Sequence, residues 1–127
     1  MTVNEKLLKA LESATRYLEV SLSTLGNDEK AFTDNLWHAA AELEYALFLF
    51  SLILEEESDV SKWKPNPEIK KGEAKELLAA AHSFLVESKN SFGENLMNAY
   101  KCVYMARHYV FRVQEELARK KREASRK

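Results

Sequence analysis

Apolar residues recur at alternating steps of three and four along most of the chain. In the first half they stand at positions 7, 11, 14, 18, 22 and 25, and again at 36, 39, 43, 46, 50 and 53. In the second half they stand at 74, 78, 81, 85 and 92, and again at 96, 99, 103, 106, 110, 113 and 117. This spacing keeps apolar side chains on one face of a helix. We therefore predict four helices, near residues 4–25, 28–57, 67–91 and 94–122.

The two halves of the chain repeat each other. A shift of 67 along the sequence aligns the first and third helices as far as Gly26 and Gly93, and a shift of 60 aligns the second and fourth. The difference corresponds to "NDEKAFT" at 27–33, which is one heptad and leaves an apolar face nearly in place. We therefore expect this insertion to lengthen the second helix. The glycines are expected to cap their helices, and Asn27 or Asp28 to start the next one.

These elements predict an all-α domain, a four-helix up-and-down bundle built from two duplicated helical hairpins. The single domain at 1–127 divides into hairpins 4–57 and 67–122, a linker at 58–66 beside the two prolines, and a basic tail at 119–127. In such a bundle we expect the second and fourth helices to run parallel and end together. The basic tail would then lie beside the acids Glu55, Glu56, Glu57 and Asp59 and offset their charge, which is unfavourable at the C-terminal end of a helix.

Composition and charge exclude several classes of protein. The 127 residues are 46% hydrophobic with a net charge of -1, so no overall field selects nucleic acid or anionic membrane. The single cysteine, Cys102, forms no internal disulfide. The N-terminal segment lacks the apolar core of a signal peptide, and no apolar run approaches the length of a membrane span. We expect a soluble, cytoplasmic protein.

The segment "YALFLFSLIL" at 45–54 is more apolar than one inner helix face requires. Side chains beyond the inner row would form a large exposed patch, which a second copy of the chain would cover. We expect a homodimer, or binding of another protein partner, through five outer residues of the second helix. They are Trp37, Tyr45, Phe48, Leu49 and Leu52. Tyr104, Tyr109 and Phe111 on the fourth helix form the alternative surface.

The tail "RKKREASRK" at 119–127 carries six basic residues against one acid. Such a cluster favours contact with phosphates. The residues expected to make it are Arg119, Lys120, Lys121 and Arg122. The tail has no stacking residue, so any nucleic-acid binding would be nonspecific.

Motifs that carry catalysis or bind cofactors are missing. His38, His82 and His108 form no pair with metal-ligand spacing, and Cys102 has no histidine on its own helix face to activate it. We therefore expect no catalytic residue, metal site or cofactor. A small-ligand pocket lined by aromatic side chains between the helices remains an alternative.

The segment "KAFTDNLWHAAAELEYAL" at 30–47 resembles the archaeal PaREP family of small helical proteins. The resemblance extends from the start of the chain to about position 55 and rests on an alanine-rich helix with the pair Leu36-Trp37. It implies a four-helix bundle from an archaeon. The same segment is similar to the HEPN group, whose ribonucleases use an Arg, then four to six intervening residues, then a His. Arg107 is followed directly by His108, so that motif is missing and only the scaffold carries over.

These observations favour a non-catalytic helical interaction module over an enzyme. The alternative is a HEPN-like protein associated with nucleic acid or nucleotides that lacks the ribonuclease residues. A metal-dependent bundle enzyme is a third interpretation.

Overall fold

The computed structural model describes residues 1–54 and 72–126 and contains four α-helices in this part of the chain. They are α1 (Val3–Thr24), α2 (Glu29–Leu54), α3 (Ala74–Ser91) and α4 (Leu96–Ser125). The prediction of an all-α four-helix bundle is confirmed. The predicted linker at 58–66 and the acids Glu55, Glu56 and Glu57 lie outside the described residues.

Polar side chains start three of the helices. Thr2, Asp28 and Asn95 each accept a hydrogen bond from the backbone N–H three residues later, at 3.1, 3.1 and 3.0 Å. These bonds satisfy N–H groups that have no partner within the helix. Asp28, rather than Asn27, is therefore the cap of α2. At α3 the residue in this position, Glu73, makes no such side-chain bond.

The two hairpin loops have the same length, and both close with equivalent hydrogen bonds at the start of the second helix. The N–H of Asp28 donates to Thr24 O at 2.9 Å, and the N–H of Asn95 donates to Ser91 O at 2.7 Å. A shift of 67 relates these two bonds, and it also takes the first residue of α2 to the first residue of α4. This one shift therefore relates the hairpins as far as the start of their second helices. The predicted seven-residue insertion at 27–33 is therefore wrong. The sequence pattern suggested it because shifts of 60 and 67 differ by one heptad and place the same apolar face inward.

The glycine caps and the start of α3 differ from the prediction. Gly26 has φ of 83°, the left-handed conformation expected of a glycine cap, whereas Gly93 does not adopt positive φ. The cap prediction therefore holds for the first loop alone. Gly72 and Glu73 precede α3 and are not helical, so the helix predicted from position 67 does not include these two residues, one of which is a glycine that opposes helix formation. Its predicted part at 67–71 lies outside the described residues.

The two hairpins pack side by side, with first helix against first helix and second helix against second helix. α1 contacts α2 and α3, and α4 contacts α2 and α3. Along the α2–α4 contact, Glu44 pairs with Arg107, and the Phe50 ring lies 5.7 Å from the Tyr100 ring. Residue numbers that increase along α2 therefore lie beside residue numbers that decrease along α4.

The second and fourth helices are thus antiparallel, and the prediction that they end together is wrong. The basic end of α4 lies at the end of the bundle where α2 begins. It does not lie beside the end of α2, so the predicted pairing with the acids after Leu54 does not follow. A bundle with one long connection allows this direction as well as the other.

The core consists of the inner faces of all four helices. Equivalent positions in the first helices of the two hairpins are buried alike, with 0% exposure at Leu11 and Leu78, Ala14 and Ala81, and Leu18 and Leu85. On α2 the buried residues are Phe32, Leu36, Ala39, Leu43, Ala46, Leu49, Phe50 and Leu54. Ile53, predicted in the inner row, is only partly buried.

A candidate interaction surface on α2

An apolar stripe runs along the outer face of α2. It comprises Trp37, Ala41, Tyr45, Phe48 and Leu52, and we call it the α2 stripe. The four large side chains are exposed by 66, 43, 57 and 46%, in chain order. Their positions, together with Ala41, keep them within about 80° of the helix circumference. At 1.5 Å per residue the stripe is about 22 Å long.

The α2 stripe points away from the bundle. At 100° per residue its centre lies roughly opposite the buried row that includes Leu43, Ala46 and Phe50. The core is complete without it, because the inner positions of α2 are already filled. Folding of one chain therefore leaves the stripe in contact with solvent.

Four of the five predicted interface residues belong to this exposed set, and the fifth does not. Leu49 is 3% exposed and lies in the core, so its placement on the outer face is wrong. The reason is that α2 has neighbours on two sides, α1 and α4, which bury a wider arc than one inner row. The sequence prediction misses Ala41, although its spacing of four from both Trp37 and Tyr45 is the signal that finds it.

Polar contacts border the stripe on both sides. Towards α4, Arg107 donates to the carboxylate of Glu44. Towards α1, the His38 ring stacks on Tyr17 at 5.0 Å. Lys6 and Lys9 of α1 line the groove between the two helices. The apolar face is therefore bounded by polar and charged groups.

The alternative surface on α4 is only partly present. Tyr109 is 6% exposed and packs against Phe84 in the core, so its assignment to the surface is wrong. Tyr104 is half-buried. Phe111 is 54% exposed and lies one turn beyond Arg107, level with the Ala41 end of the α2 stripe.

The apolar character of α2 also bears on membranes. Among the described helices, α2 alone is long and apolar enough to cross a bilayer by length and composition. Core helices of soluble proteins meet the same criterion, and α2 buries its inner face in the bundle. Its composition is therefore weak evidence for a membrane span, and the described helices are compatible with a soluble protein.

The predicted phosphate contacts lie on the exposed last two turns of α4. Arg119 donates to the carboxylates of Glu116 and Glu123, the latter at 2.6 Å. Its hydrogen bond holds the pKa of Glu116 below the usual range, and the two acids raise the pKa of Arg119. Lys120, Lys121 and Arg122 are exposed on the same segment.

A surface cavity of about 570 Å³ lies between the start of α3 and the second half of α4. Its charged lining includes Lys75, Arg112 and Lys120 together with Glu73 and Glu116. The cations therefore already have carboxylates beside them. The arrangement shows no group that would select a particular ligand.

The three histidines each contact a different partner and do not form a cluster. His82 contacts Glu19 at 3.3 Å across the α1–α3 contact, His38 stacks on Tyr17, and the His108 ring lies 4.5 Å from Tyr104. Burial, helped by Arg107, lowers the pKa of His108. Within residues 1–54 and 72–126 no three histidine, cysteine or acidic side chains are grouped to hold a metal ion.

The cysteine is a buried thiol rather than an activated one. Cys102 is 7% exposed. Burial, followed by the nearby charge of Glu87, raises its pKa. A raised pKa lowers the thiolate fraction at neutral pH, which opposes nucleophilic chemistry.

Comparisons with protein-family models, curated proteins and solved structures find no match for this chain. The resemblance to the PaREP and HEPN groups stays a prediction. The geometry thus defines a four-helix bundle with an exposed apolar helix face, and the α2 stripe is its strongest candidate site.

Proposed function

We propose that the protein is a non-catalytic interaction module that binds another protein chain through the α2 stripe. The partner we propose is a second copy of the same chain, which gives a homodimer in the cytoplasm. The observation that carries this proposal is the continuity of the stripe. Large apolar side chains are exposed at four of its five positions, on the face of α2 that the bundle core does not use.

The size of the stripe supports a protein partner. The three aromatic side chains, at about 200 Å² each, leave roughly 330 Å² exposed before Leu52 and Ala41 are added. A standard interface buries about 800 Å² per partner, of which about 450 Å² is apolar. The α2 stripe therefore supplies most of the apolar area that one side of a stable complex needs.

The charges beside the stripe favour protein over membrane. Helices that lie in a membrane surface carry lysine and arginine along their polar face. Here Glu42 and Glu44 stand on the flanks of the stripe beside Lys6, Lys9 and Arg107, so the flanks carry no excess of positive charge. Flanks without an excess of positive charge gain little attraction to anionic lipid.

Light scattering on charge variants tests the proposal. Phe48→Glu places in α2 the residue that α4 carries at the equivalent position, Glu115, and Leu52→Arg does the same for Arg119. Phe48 and Leu52 are both exposed, so a charged side chain at either position removes nothing from the core and the variants are designed to fold. We expect a dimeric wild type and monomeric variants with unchanged helical circular dichroism.

Val86→Glu is the matched control, because Val86 is an exposed apolar residue of α3 (41%) outside the stripe. It should leave the dimer intact. A wild type that is monomeric at tens of micromolar contradicts the proposal, and so does a Phe48→Glu variant that remains dimeric.

A second candidate function, association with nucleic acid on a HEPN-like scaffold, is favoured by the exposed cations at the end of α4. Their affinity would fall steeply with salt, since phosphate contacts release counterions. The test compares RNA binding by the full chain and by a chain ending at Ala118, at equal salt. Equal binding by the two chains would show that the tail is not responsible. A relationship to the archaeal PaREP family is a separate proposal, which rests on the segment at 30–47 and implies no particular biochemical role.

A further inference from the structure

We infer that two copies of the chain pack α2 against α2 in antiparallel orientation, with the two-fold axis passing beside Tyr45. This inference rests on the proposed function, since it specifies how the same stripe is covered. It follows from the order of side-chain sizes along the stripe.

The stripe is complementary to itself when it is reversed. Tyr45 lies at its centre, with Ala41 four positions before it and Phe48 three positions after it. In an antiparallel pair, Ala41 of one copy faces Phe48 of the other, so the smallest residue accepts a large exposed ring. At the ends, Trp37 faces Leu52, and at the axis the two Tyr45 rings meet.

A parallel pair would match sizes poorly. The two Ala41 residues would face each other and leave a gap. About two turns further along, the two Phe48 rings would face each other and crowd the contact. Interfaces pack as densely as protein interiors, and both gaps and overpacking weaken them. The antiparallel order spreads the side-chain volume evenly over about 22 Å of helix.

The charges near the axis are compatible with this arrangement, because a cation within each copy offsets a carboxylate that would otherwise repel its counterpart. Glu44 adjoins Tyr45, so the two Glu44 carboxylates of an antiparallel pair lie near each other across the axis. Like charges in that position repel. Arg107 of the same chain already donates to Glu44 and so balances this charge within each copy. The ion pair between α2 and α4 thereby makes the centre of the stripe compatible with self-packing.

Spin labels at exposed positions beside and beyond the stripe measure the orientation directly. Cysteines are placed singly at Lys30 and at Ser51, both exposed, in a Cys102→Ala background, and distances between labels on different copies are measured by pulsed dipolar spectroscopy. In the antiparallel pair, Lys30 lies about fifteen residues from the axis, which predicts about 45 Å between the two labels. Ser51 lies about seven residues from it, which predicts about 20 Å.

The outcomes separate this inference from the proposed function. Distances of about 10 Å at both sites, the spacing of packed parallel helices, would overturn the antiparallel arrangement and leave self-association through α2 standing. A dimer in which both distances lie well above the roughly 45 Å expected at Lys30 would show that α2 is not the contact, and would overturn both. A monomeric wild type with no dipolar signal between copies would also overturn both. Phe48→Glu on each labelled chain should abolish the signal.

Discussion

The second helices of the two hairpins present different side chains to solvent at positions related by the shift of 67. At the positions equivalent to the α2 stripe, α4 carries Tyr104, His108, Arg112, Glu115 and Arg119. The last three are charged, and Glu115 and Arg119 are exposed where α2 exposes Phe48 and Leu52. The outer face of α4 is therefore polar over its second half, although the two helices are buried differently there, since Leu49 and Leu54 lie in the core whereas Glu116 and Lys121 are exposed. The core is complete without the α2 stripe. The apolar face of α2 is not a requirement of the fold, which is why we assign it to binding.

The inner faces of the two hairpins, in contrast, are nearly interchangeable. The buried leucines and alanines of α1 have counterparts of the same kind on α3. The difference between the hairpins thus lies outside the core. Substitutions at equivalent positions can show where the likeness ends.

The largest expected effect is at the shared core. Leu18 and Leu85 are equivalent and both 0% exposed. Replacing either by alanine removes buried methyl groups and leaves a cavity, so each variant should lose about 2–5 kcal/mol of unfolding free energy. Urea unfolding of the two variants measures this loss. A loss below about 1 kcal/mol at one site alone would contradict the equivalence of the two cores.

A smaller and unequal effect is expected at a pair of buried serines. Ser88 Oγ donates to Ala99 O at 2.8 Å, and Ser88→Ala should cost about 0.5–1.5 kcal/mol. The equivalent Ser21 Oγ is buried without a hydrogen-bond partner among the described residues. The residue that corresponds to Ala99 is Phe32, whose larger side chain is buried there instead.

Ser21→Ala should therefore be neutral or stabilising, because an unpartnered buried hydroxyl is removed. The two serine variants are each other's control in the same unfolding experiment. Equal losses at both sites would mean that Ser21 has a partner in solution and that the hairpins are more alike than their hydrogen bonds indicate.

The smallest effect is expected at the basic end of α4. Residues 119–126 are exposed and carry no large apolar side chain, so a chain ending at Ala118 should melt within about 3 °C of the full chain. Thermal unfolding by circular dichroism measures this at moderate salt. A drop of more than about 10 °C would show that the tail packs onto the bundle.

Periodicity alone is enough to predict the helices and most of the core. The inner residues Leu36, Ala39 and Leu43 are buried as their spacing indicates. The pattern does not report how many neighbours a helix has, and for this reason it misplaces Leu49 on the outer face. Contact with helices on two sides of α2 extends the buried arc to include it.

The apolar pattern predicts neither the alignment of the two hairpins nor the relative direction of α2 and α4. Shifts of 60 and 67 keep the same helix face, so the sequence does not distinguish them, whereas the matching loop hydrogen bonds at Asp28 and Asn95 do. The antiparallel packing of α2 and α4 is evident only from contacts such as Glu44 with Arg107. Such contacts join residues far apart in the chain, and a single sequence does not reveal them.

The mass of the wild-type protein in solution tests self-association through the α2 stripe most directly. Sedimentation equilibrium over a concentration series should show a species of twice the 14.6 kDa chain mass, dissociating on dilution. Phe48→Glu should remain at the chain mass throughout the same series. A wild type that stays at the mass of one chain up to tens of micromolar would contradict the assignment of the α2 stripe to self-association.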